Sequence, residues 1–221
     1  MSAHYPPLEV VVEPPEVWES EILEYEEHDR VDPPPQGGVV FVGSSTIRMW
    51  TTLARDFDPL PVVNRGFGGA QMDAVLHYAT RLVIPHQPRV VVVYAGENDL
   101  EPVRGKTPEC VLGNFRSFVS LVGAAVPGVH FYILSMKPSP ARTQSWPAVK
   151  RLNELLRDFC VGSSNCTLVD LETPTFDEHG RTRQELFLSD GLHLSRKGYA
   201  VWTAQVRPVL WKDPTLEGFL A

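Results

Sequence analysis

The chain has 221 residues, 43% of them hydrophobic, so it is long enough to bury the core of one domain and too apolar to be disordered throughout. It carries 20 Lys and Arg against 27 Asp and Glu, a net charge of -7 without a basic run, which argues against a nucleic-acid partner. It also lacks an apolar run long enough to cross a bilayer, so we expect no membrane partner.

The first 37 residues are predicted to be a leader that precedes the main domain, residues 38–221. The leader begins with a stretch rich in Pro and Glu, up to about residue 15, that we expect to be extended. Beyond it, large apolar side chains recur at roughly helical spacing, at Trp18, Ile22, Leu23 and Tyr25. This spacing predicts a packing helix over about 15–29, on the outside of the domain and ending before Pro33.

Five short apolar runs alternate with stretches of helical pattern in the main domain. The runs are rich in Val, Ile and Phe and lie at 39–42, 62–63, 90–94, 131–134 and 168–169. Helices are predicted at about 46–55, 71–79, 108–125, 147–160 and 195–210. Buried strands joined by crossover helices predict a three-layer α/β/α fold with a flavodoxin-like five-stranded parallel sheet in the order 2-1-3-4-5.

Glycine and polar residues follow the first three strands directly. These segments are Gly-Ser-Ser-Thr at 43–46, Asn-Arg-Gly-Phe-Gly-Gly at 64–69 and Ala-Gly-Glu-Asn-Asp at 95–99. In a doubly wound sheet the ligand lies beyond the carboxyl ends of the strands. We therefore expect the three segments to converge on one rim, with the loop at 188–195 free to close over it.

A serine at the turn between the first strand and its helix is a candidate nucleophile. Such a position exposes the hydroxyl, and the backbone N–H of the same residue points into the same space. Of Ser44 and Ser45, we consider Ser45 the better candidate. The alternative is that one of them caps the helix beginning near Thr46, the commonest role of a serine there. The α/β-hydrolase fold is disfavoured because its nucleophile elbow has a glycine two residues after the serine.

Candidate donors for an oxyanion follow the second and third strands. Backbone N–H groups and an Asn amide suit this role because they are neutral and fixed, and Gly69 and Asn98 could supply them. The glycines at 66–69 could instead form a tight turn or a phosphate loop, and Asn98 an Asx-turn. A dinucleotide-binding loop is disfavoured because its G-x-G-x-x-G should follow the first strand.

A carboxylate and an imidazole lie three residues apart just before the last predicted helix, at Asp190 and His193. A general base needs one ring nitrogen facing the nucleophile and the other held by an acceptor, and Asp190 is close enough to be that acceptor. The alternative is that Asp190 only turns the loop and His193 lies near a helix start.

Three cysteines, Cys110, Cys160 and Cys166, are odd in number and lack the spacing of metal ligands. We interpret them as free thiols in a reducing compartment that serve as packing residues. Residues 1–7 have neither the basic start nor the apolar core of a secretory signal, so none is expected. These features together predict a cytoplasmic location.

The four blocks around Ser45, Gly69, Asn98 and His193, in this order, resemble the SGNH (GDSL-like) hydrolase family over about residues 38 to 210. Gly-Glu-Asn-Asp at 96–99 fits the family's G-x-N-D block. Ser44 departs from the family, whose name motif has Asp at that position. The segments 43–50 and 137–142 resemble the compact bacterial esterase branch, which is also similar to the platelet-activating-factor acetylhydrolase catalytic subunit.

The resemblance implies that Ser45 is the nucleophile and that Asp190 and His193 complete a catalytic triad. It also implies an oxyanion hole formed by the N–H of Ser45, Gly69 and Asn98. A serine esterase of this kind hydrolyses small-molecule esters with short acyl groups through an acyl-enzyme, and it needs no cofactor and no metal.

Residues for specificity are expected in the segment 137–147, which follows the fourth strand and so should reach the rim, where Arg142 and Trp146 could touch substrate. Cationic side chains that could bind an anionic leaving group are Arg48, Arg65 and Lys137. We expect Arg48 to pair on a helix face and Arg65 to brace a loop. Four histidines without a partner motif are expected to be surface or core residues: His77, His86, His130 and His179.

Two alternatives remain at this stage. The same fold could be a non-catalytic module that binds a phosphate, a nucleotide or an acylated sugar. It could also be an acyltransferase that passes the acyl group to an alcohol. The natural alcohol and the formation of a homo-oligomer stay open.

Overall fold

The computed structural model describes residues 10–220. Five strands form one parallel sheet: β1 Val39–Gly43, β2 Val62–Gly66, β3 Val90–Tyr94, β4 His130–Leu134 and β5 Cys166–Val169. Their order across the sheet is β2-β1-β3-β4-β5, which confirms the predicted fold and strand order. β1 and β3 are buried along their whole length, which is why they read as unbroken apolar runs.

Helices cover both faces of the sheet. They are α1 Glu19–Val31, α2 Ser45–Arg48, α3 Leu53–Asp56, α4 Met72–His77, α5 Ala79–Leu82, α6 Pro108–Ala125, α7 Trp146–Val161, α8 Arg196–Leu210 and α9 Glu217–Leu220. Helices α6, α7 and α8 agree with their predicted bounds to within one residue. Caps fix the starts of two of them: Thr107 accepts the N–H of Cys110, and Ser195 accepts that of Gly198.

The helix predicted over 46–55 is wrong as a continuous element, because α2 and α3 are separate short helices. The carboxylate of Asp56 accepts hydrogen bonds from the Trp50 indole at 2.9 Å and from the Thr52 hydroxyl at 2.5 Å. Such local side-chain bonds compete with the helix. The helix predicted over 71–79 is likewise divided, with Tyr78 lying between α4 and α5.

The hydrophobic core lies on both faces of the sheet. On one face Trp50 packs against Tyr199 and Trp202 of α8, at centroid distances of 5.2 and 6.0 Å. On the other face α6 lies between α4 and α7, and its Phe118 meets Phe131 of β4. Because both faces are covered, the carboxyl ends of the strands are left as the open rim.

The N-terminal helix predicted over about 15–29 is present as a 3₁₀ turn, Pro15–Trp18, followed by α1. It lies against the main domain. Arg65 of β2 pairs with Asp29 at 2.5 Å, and Arg81 of α5 pairs with Glu19 and Glu26 at 2.8 and 2.7 Å. The beginning of the leader, residues 1–9, lies outside the described residues.

Cysteine burial differs in part from the prediction. Cys160 and Cys166 are buried free thiols, and burial raises their pKa values to about 12 and about 11. Cys110 is also a free thiol, but it is exposed near the start of α6, so its interpretation as a packing residue was wrong. Within residues 10–220, no helix has both the length and the apolar character that crossing a membrane requires.

Candidate active site

Ser45 lies at the turn between β1 and α2. Gly43 ends the strand with φ of +150°, and a Cβ at this position would strike the carbonyl oxygen of Tyr94 on β3, so only glycine fits. Ser44 is buried, takes the N-cap position of α2 and makes no capping bond with its side chain. Ser45 is half-buried at the first helical position. The turn thus places Ser45 at the carboxyl end of β1. The helix-capping alternative is not supported, because the side chain of Ser44 makes no capping hydrogen bond.

The hydroxyl of Ser45 and the side chains of His193 and Asp190 form a continuous hydrogen-bonded row. Ser45 Oγ lies 3.0 Å from His193 Nε2. On the other side of the ring, His193 Nδ1 lies 2.7 Å from Asp190 Oδ2. The structure therefore brings together three residues that the sequence separates by up to 148 positions.

Asp190 is held in its loop by the second carboxylate oxygen. Oδ1 accepts the backbone N–H groups of Leu192 and His193 at 2.9 and 3.0 Å. The hydrogen bond from His193, aided by these backbone bonds, lowers the pKa of Asp190 to about 2. The carboxylate therefore stays charged at neutral pH, and it is oriented before any substrate arrives.

Three N–H donors lie on the rim segments. The N–H of Ser45 is at a helix start, where no intrahelical acceptor exists. The exposed Gly69 has φ of +69°, and its N–H has no acceptor among residues 10–220. Asn98 Nδ2 donates one hydrogen to the carbonyl of Ala70 at 2.9 Å, which leaves its second hydrogen available.

The carboxylate of Asp99 connects the segment after β3 to the helix after the glycines. It is fully buried and accepts the backbone N–H of Met72, the first residue of α4, at 2.9 and 3.1 Å. Lys106 lies 3.3 Å from it. This anchor holds the Gly69 and Asn98 segments together. Sequence reasoning missed it, although the Asn-Asp pair directly after a strand was a signal for it.

Lys137 belongs to a buried ionic cluster and does not face the rim, so its suggested role as a binder of anionic leaving groups was wrong. Its Nζ lies 2.5 Å from Glu97 Oε2 and 2.9 Å from Ser139 Oγ, and Ser139 also binds Glu97. Burial alone would raise the pKa of Glu97, but the charges of Lys137 and Arg142 lower it below its usual value. One signal for this cluster was present in the sequence, because Glu97 and Lys137 carry opposite charges and follow neighbouring strands.

The side chains of Arg142 and Trp146 are bound by neighbouring residues, so they are less available to a substrate than the sequence indicates. Arg142 pairs with Glu101 at 2.5 Å, and its side chain is only 13% exposed. The indole of Trp146 donates to the carbonyl of Ser139 at 2.9 Å. Their segment is bound to the loop that carries Asp190 and His193, since the N–H of Ala141 donates to the carbonyl of Gly191 at 3.0 Å.

The other cationic side chains have structural partners, as expected. Arg48 pairs with Glu21 at 3.2 Å, and the buried Arg65 pairs with Asp29 and lies beside His86. Burial, together with the positive charge of Arg65, lowers the pKa of His86. Nowhere in the part of the chain that the structure describes do three or more His, Cys, Asp or Glu side chains gather as metal ligands would.

The chain is similar to one protein family in sequence and to several solved proteins in structure. The model of the GDSL-like lipase/acylhydrolase family matches residues 38–201. A GDSL-like lipase from Bacteroides thetaiotaomicron VPI-5482 is similar in structure, with a TM-score of 0.74 and 21% identity over 86% of this chain and 97% of that protein. A Streptococcus pneumonia protein provisionally described as a platelet activating factor has a TM-score of 0.73 and 19% identity, over 93% and 96% of the two chains.

A third similar structure is an acetyl esterase in which a serine is mutated to alanine, solved with an acetate ion. Its TM-score is 0.61 and its identity 15%, over 79% of this chain and 96% of that protein. At these identities the solved structures show a shared fold. No curated protein matches the sequence.

Proposed function

Because the chain belongs to the GDSL-like lipase/acylhydrolase family, whose members hydrolyse esters, we propose that it is a serine esterase that acts on short-chain, acetyl-like esters. The observation that carries this proposal is the row from Ser45 Oγ through His193 to Asp190, with distances of 3.0 and 2.7 Å. Hydroxyl, imidazole and carboxylate in this order are the parts of a catalytic triad.

In the first half of the reaction, the oxygen of Ser45 bonds to the acyl carbon while its proton passes to His193 Nε2. The bond between the acyl carbon and the alcohol oxygen then breaks, and that oxygen takes the proton from Nε2. Asp190 holds the other nitrogen of the ring and stabilises the charge that the ring carries between these steps. The alcohol leaves, and the acyl group stays on Ser45.

In the second half, water gives a proton to Nε2 and its oxygen bonds to the acyl carbon. The bond from that carbon to Ser45 breaks, and Ser45 recovers its proton from His193. During both halves the carbonyl oxygen becomes an oxyanion. We propose that it is stabilised by the N–H groups of Ser45 and Gly69 and by the free hydrogen of Asn98.

The acyl group is proposed to be short because the segment 137–147 offers little apolar surface. The segment 137–147 is mostly polar, and its one large apolar side chain, Trp146, is bound to the backbone of Ser139. Each further methylene would gain about 0.8 kcal/mol only if a trough buried it.

Arg142 and Trp146 are proposed to contact the substrate from the same segment. Ala141 fastens this segment to the triad loop at Gly191, so a molecule attached to Ser45 would lie next to it. Arg142 keeps partial exposure beside Glu101, which suits a polar alcohol.

Labelling with a fluorophosphonate tests the proposal. Ser45 of the intact protein should be labelled stoichiometrically, Ser45→Ala should not be labelled, and Ser44→Ala should be labelled at a substantial rate. An unlabelled wild-type protein would favour the non-catalytic module that binds acylated sugar or phosphate. Product analysis with added alcohols separates the remaining alternative, because an acyltransferase forms new esters where a hydrolase forms free acid.

A further inference from the structure

Three side chains from the N-terminal segment bind the backbone of the glycine loop, residues 66–69. The indole of Trp18 donates to the carbonyl of Gly68 at 2.6 Å. The carboxylate of Glu21 accepts the N–H of Gly68 at 3.2 Å. The hydroxyl of Tyr25 donates to the carbonyl of Gly66 at 2.6 Å. Both polar groups of Gly68 are thus satisfied by a segment some 50 residues away in sequence.

We propose that Trp18 is a positioning residue for the oxyanion hole, acting on the orientation of the Gly69 N–H. This inference rests on the proposed esterase function. The carbonyl of Gly68 and the N–H of Gly69 belong to the same peptide unit, which is planar and trans, so the two groups point in opposite directions. A hydrogen bond that fixes the carbonyl therefore fixes the direction of the N–H.

The Gly69 N–H needs such an external restraint. Gly69 is exposed, has φ of +69°, and a Cβ there would meet nothing within 4 Å. No side chain therefore packs against this position, and the turn hydrogen bond that spans it, from the Ala70 N–H to the Phe67 carbonyl, is long at 3.4 Å. Glycine also has the widest range of backbone conformations of any residue. Trp18, in contrast, is only 5% exposed, with its ring against Phe67 at 5.9 Å. Trp18 is therefore the rigid partner in its hydrogen bond with the Gly68 carbonyl.

The same contacts favour the donor electrostatically. A hydrogen bond accepted by a peptide carbonyl polarises the unit and strengthens its N–H as a donor. The negative charge of Glu21 would oppose an oxyanion nearby, but Arg48 pairs with it at 3.2 Å. Arg48 also lies beside Gly68, so the glycine loop is next to an ion pair in which the positive charge of Arg48 offsets the negative charge of Glu21.

Trp18→Phe is the direct test, because it keeps an aromatic ring and removes only the indole donor and its second ring. We expect kcat for p-nitrophenyl acetate to fall by about 10-fold to 100-fold with KM unchanged, since a loosened donor acts on the transition state. Affinity for a boronic acid, which forms a tetrahedral adduct on serine, should fall by the same factor. A purely structural role would not move kcat and boronic acid affinity together.

Trp50→Phe is the matched control. The indole of Trp50 is also buried and also donates a hydrogen bond, at 2.9 Å, but to Asp56 and away from the glycine loop. It should lower the unfolding temperature to a similar degree and leave kcat within about twofold of wild type. If both variants lose kcat equally, or if folded Trp18→Phe keeps wild-type kcat, the inference is wrong.

Should Trp18→Phe fail to fold, 3-benzothienylalanine at position 18 decides the question, because it keeps the shape of the indole and removes its N–H, with the same replacement at Trp50 as its control. A selective loss of kcat at position 18 supports the inference, and equal kcat in the two variants overturns it. Failure of the proposed function would give a different result from failure of this inference alone. In that case wild type and Ser45→Ala would show the same rates and no labelling, and the inference would fall with it.

Discussion

Asp190 binds His193 twice, through the ring and through the backbone. One carboxylate oxygen lies 2.7 Å from Nδ1, and the other accepts the backbone N–H of His193 at 3.0 Å. Only two residues separate Asp190 from His193, so this loop sets both the position and the direction of the imidazole. The ring then needs only one long-range contact, to Ser45, to complete the row.

Ser45→Ala should lower ester hydrolysis by several orders of magnitude, leaving the weak catalysis of the remaining site. Ser44→Ala should keep a substantial part of the activity, because Ser44 is buried and does not reach His193. Initial rates with p-nitrophenyl acetate measure both. Equal losses in two folded variants would contradict the assignment of Ser45.

Asn98→Ala should lower kcat by about 10²–10³-fold with little change in KM, the effect of removing one oxyanion donor. Asn98 also donates to Ala70, so the unfolding temperature should be measured alongside. A rise in KM alone would instead make Asn98 a residue that binds the ground state.

Activity should fall on acidification, because His193 must be neutral to accept the proton of Ser45. Asp190 cannot cause this fall, because its pKa is lowered to about 2. A carboxyl with a lowered pKa contributes stability that is present above its unfolded value of about 3.9 and is lost only below it. A kcat profile that stays flat to pH 5 would argue against a histidine base.

Asp190→Asn should lower kcat by about 10²–10⁴-fold even at pH 8, because an amide can hold the ring in the wrong tautomer. Asp170→Asn on another exposed loop serves as a control, since its carboxylate only accepts backbone N–H groups nearby. Comparable rates for Asp190→Asn and wild type at pH 8 would remove Asp190 from the triad.

Short acyl chains should be preferred, with kcat/KM highest between acetyl and about butyryl. The measurement compares p-nitrophenyl acetate, butyrate, octanoate and palmitate below their micellar concentrations, together with acetylated sugars. If octanoate or palmitate is the best substrate, the polar character of 137–147 does not limit the pocket and the enzyme is a lipase or long-chain thioesterase.

The sequence places Glu97 and Lys137 after neighbouring strands, but it does not decide whether the two side chains pair, for a physical reason. Glu97 and Lys137 each follow an apolar strand, and a charged residue there can equally face solvent or a neighbouring strand end. Which of these happens depends on the β3–β4 register, which pairs Val93 with Ile133 and so brings both charges to the same level. Desolvation then requires that they pair.

The sequence by itself determined the wholly buried strands β1 and β3 and the loop that holds Asp190 and His193. A parallel strand that is buried along its whole length must be apolar throughout, and the contacts within Asp190-x-x-His193 are local, so both are encoded in adjacent residues. Only the tertiary structure decided that Trp18 binds Gly68 and that Lys137 faces inward. These contacts join residues about 40 to 50 positions apart, and packing chooses their partners only after the sheet and its helices have assembled.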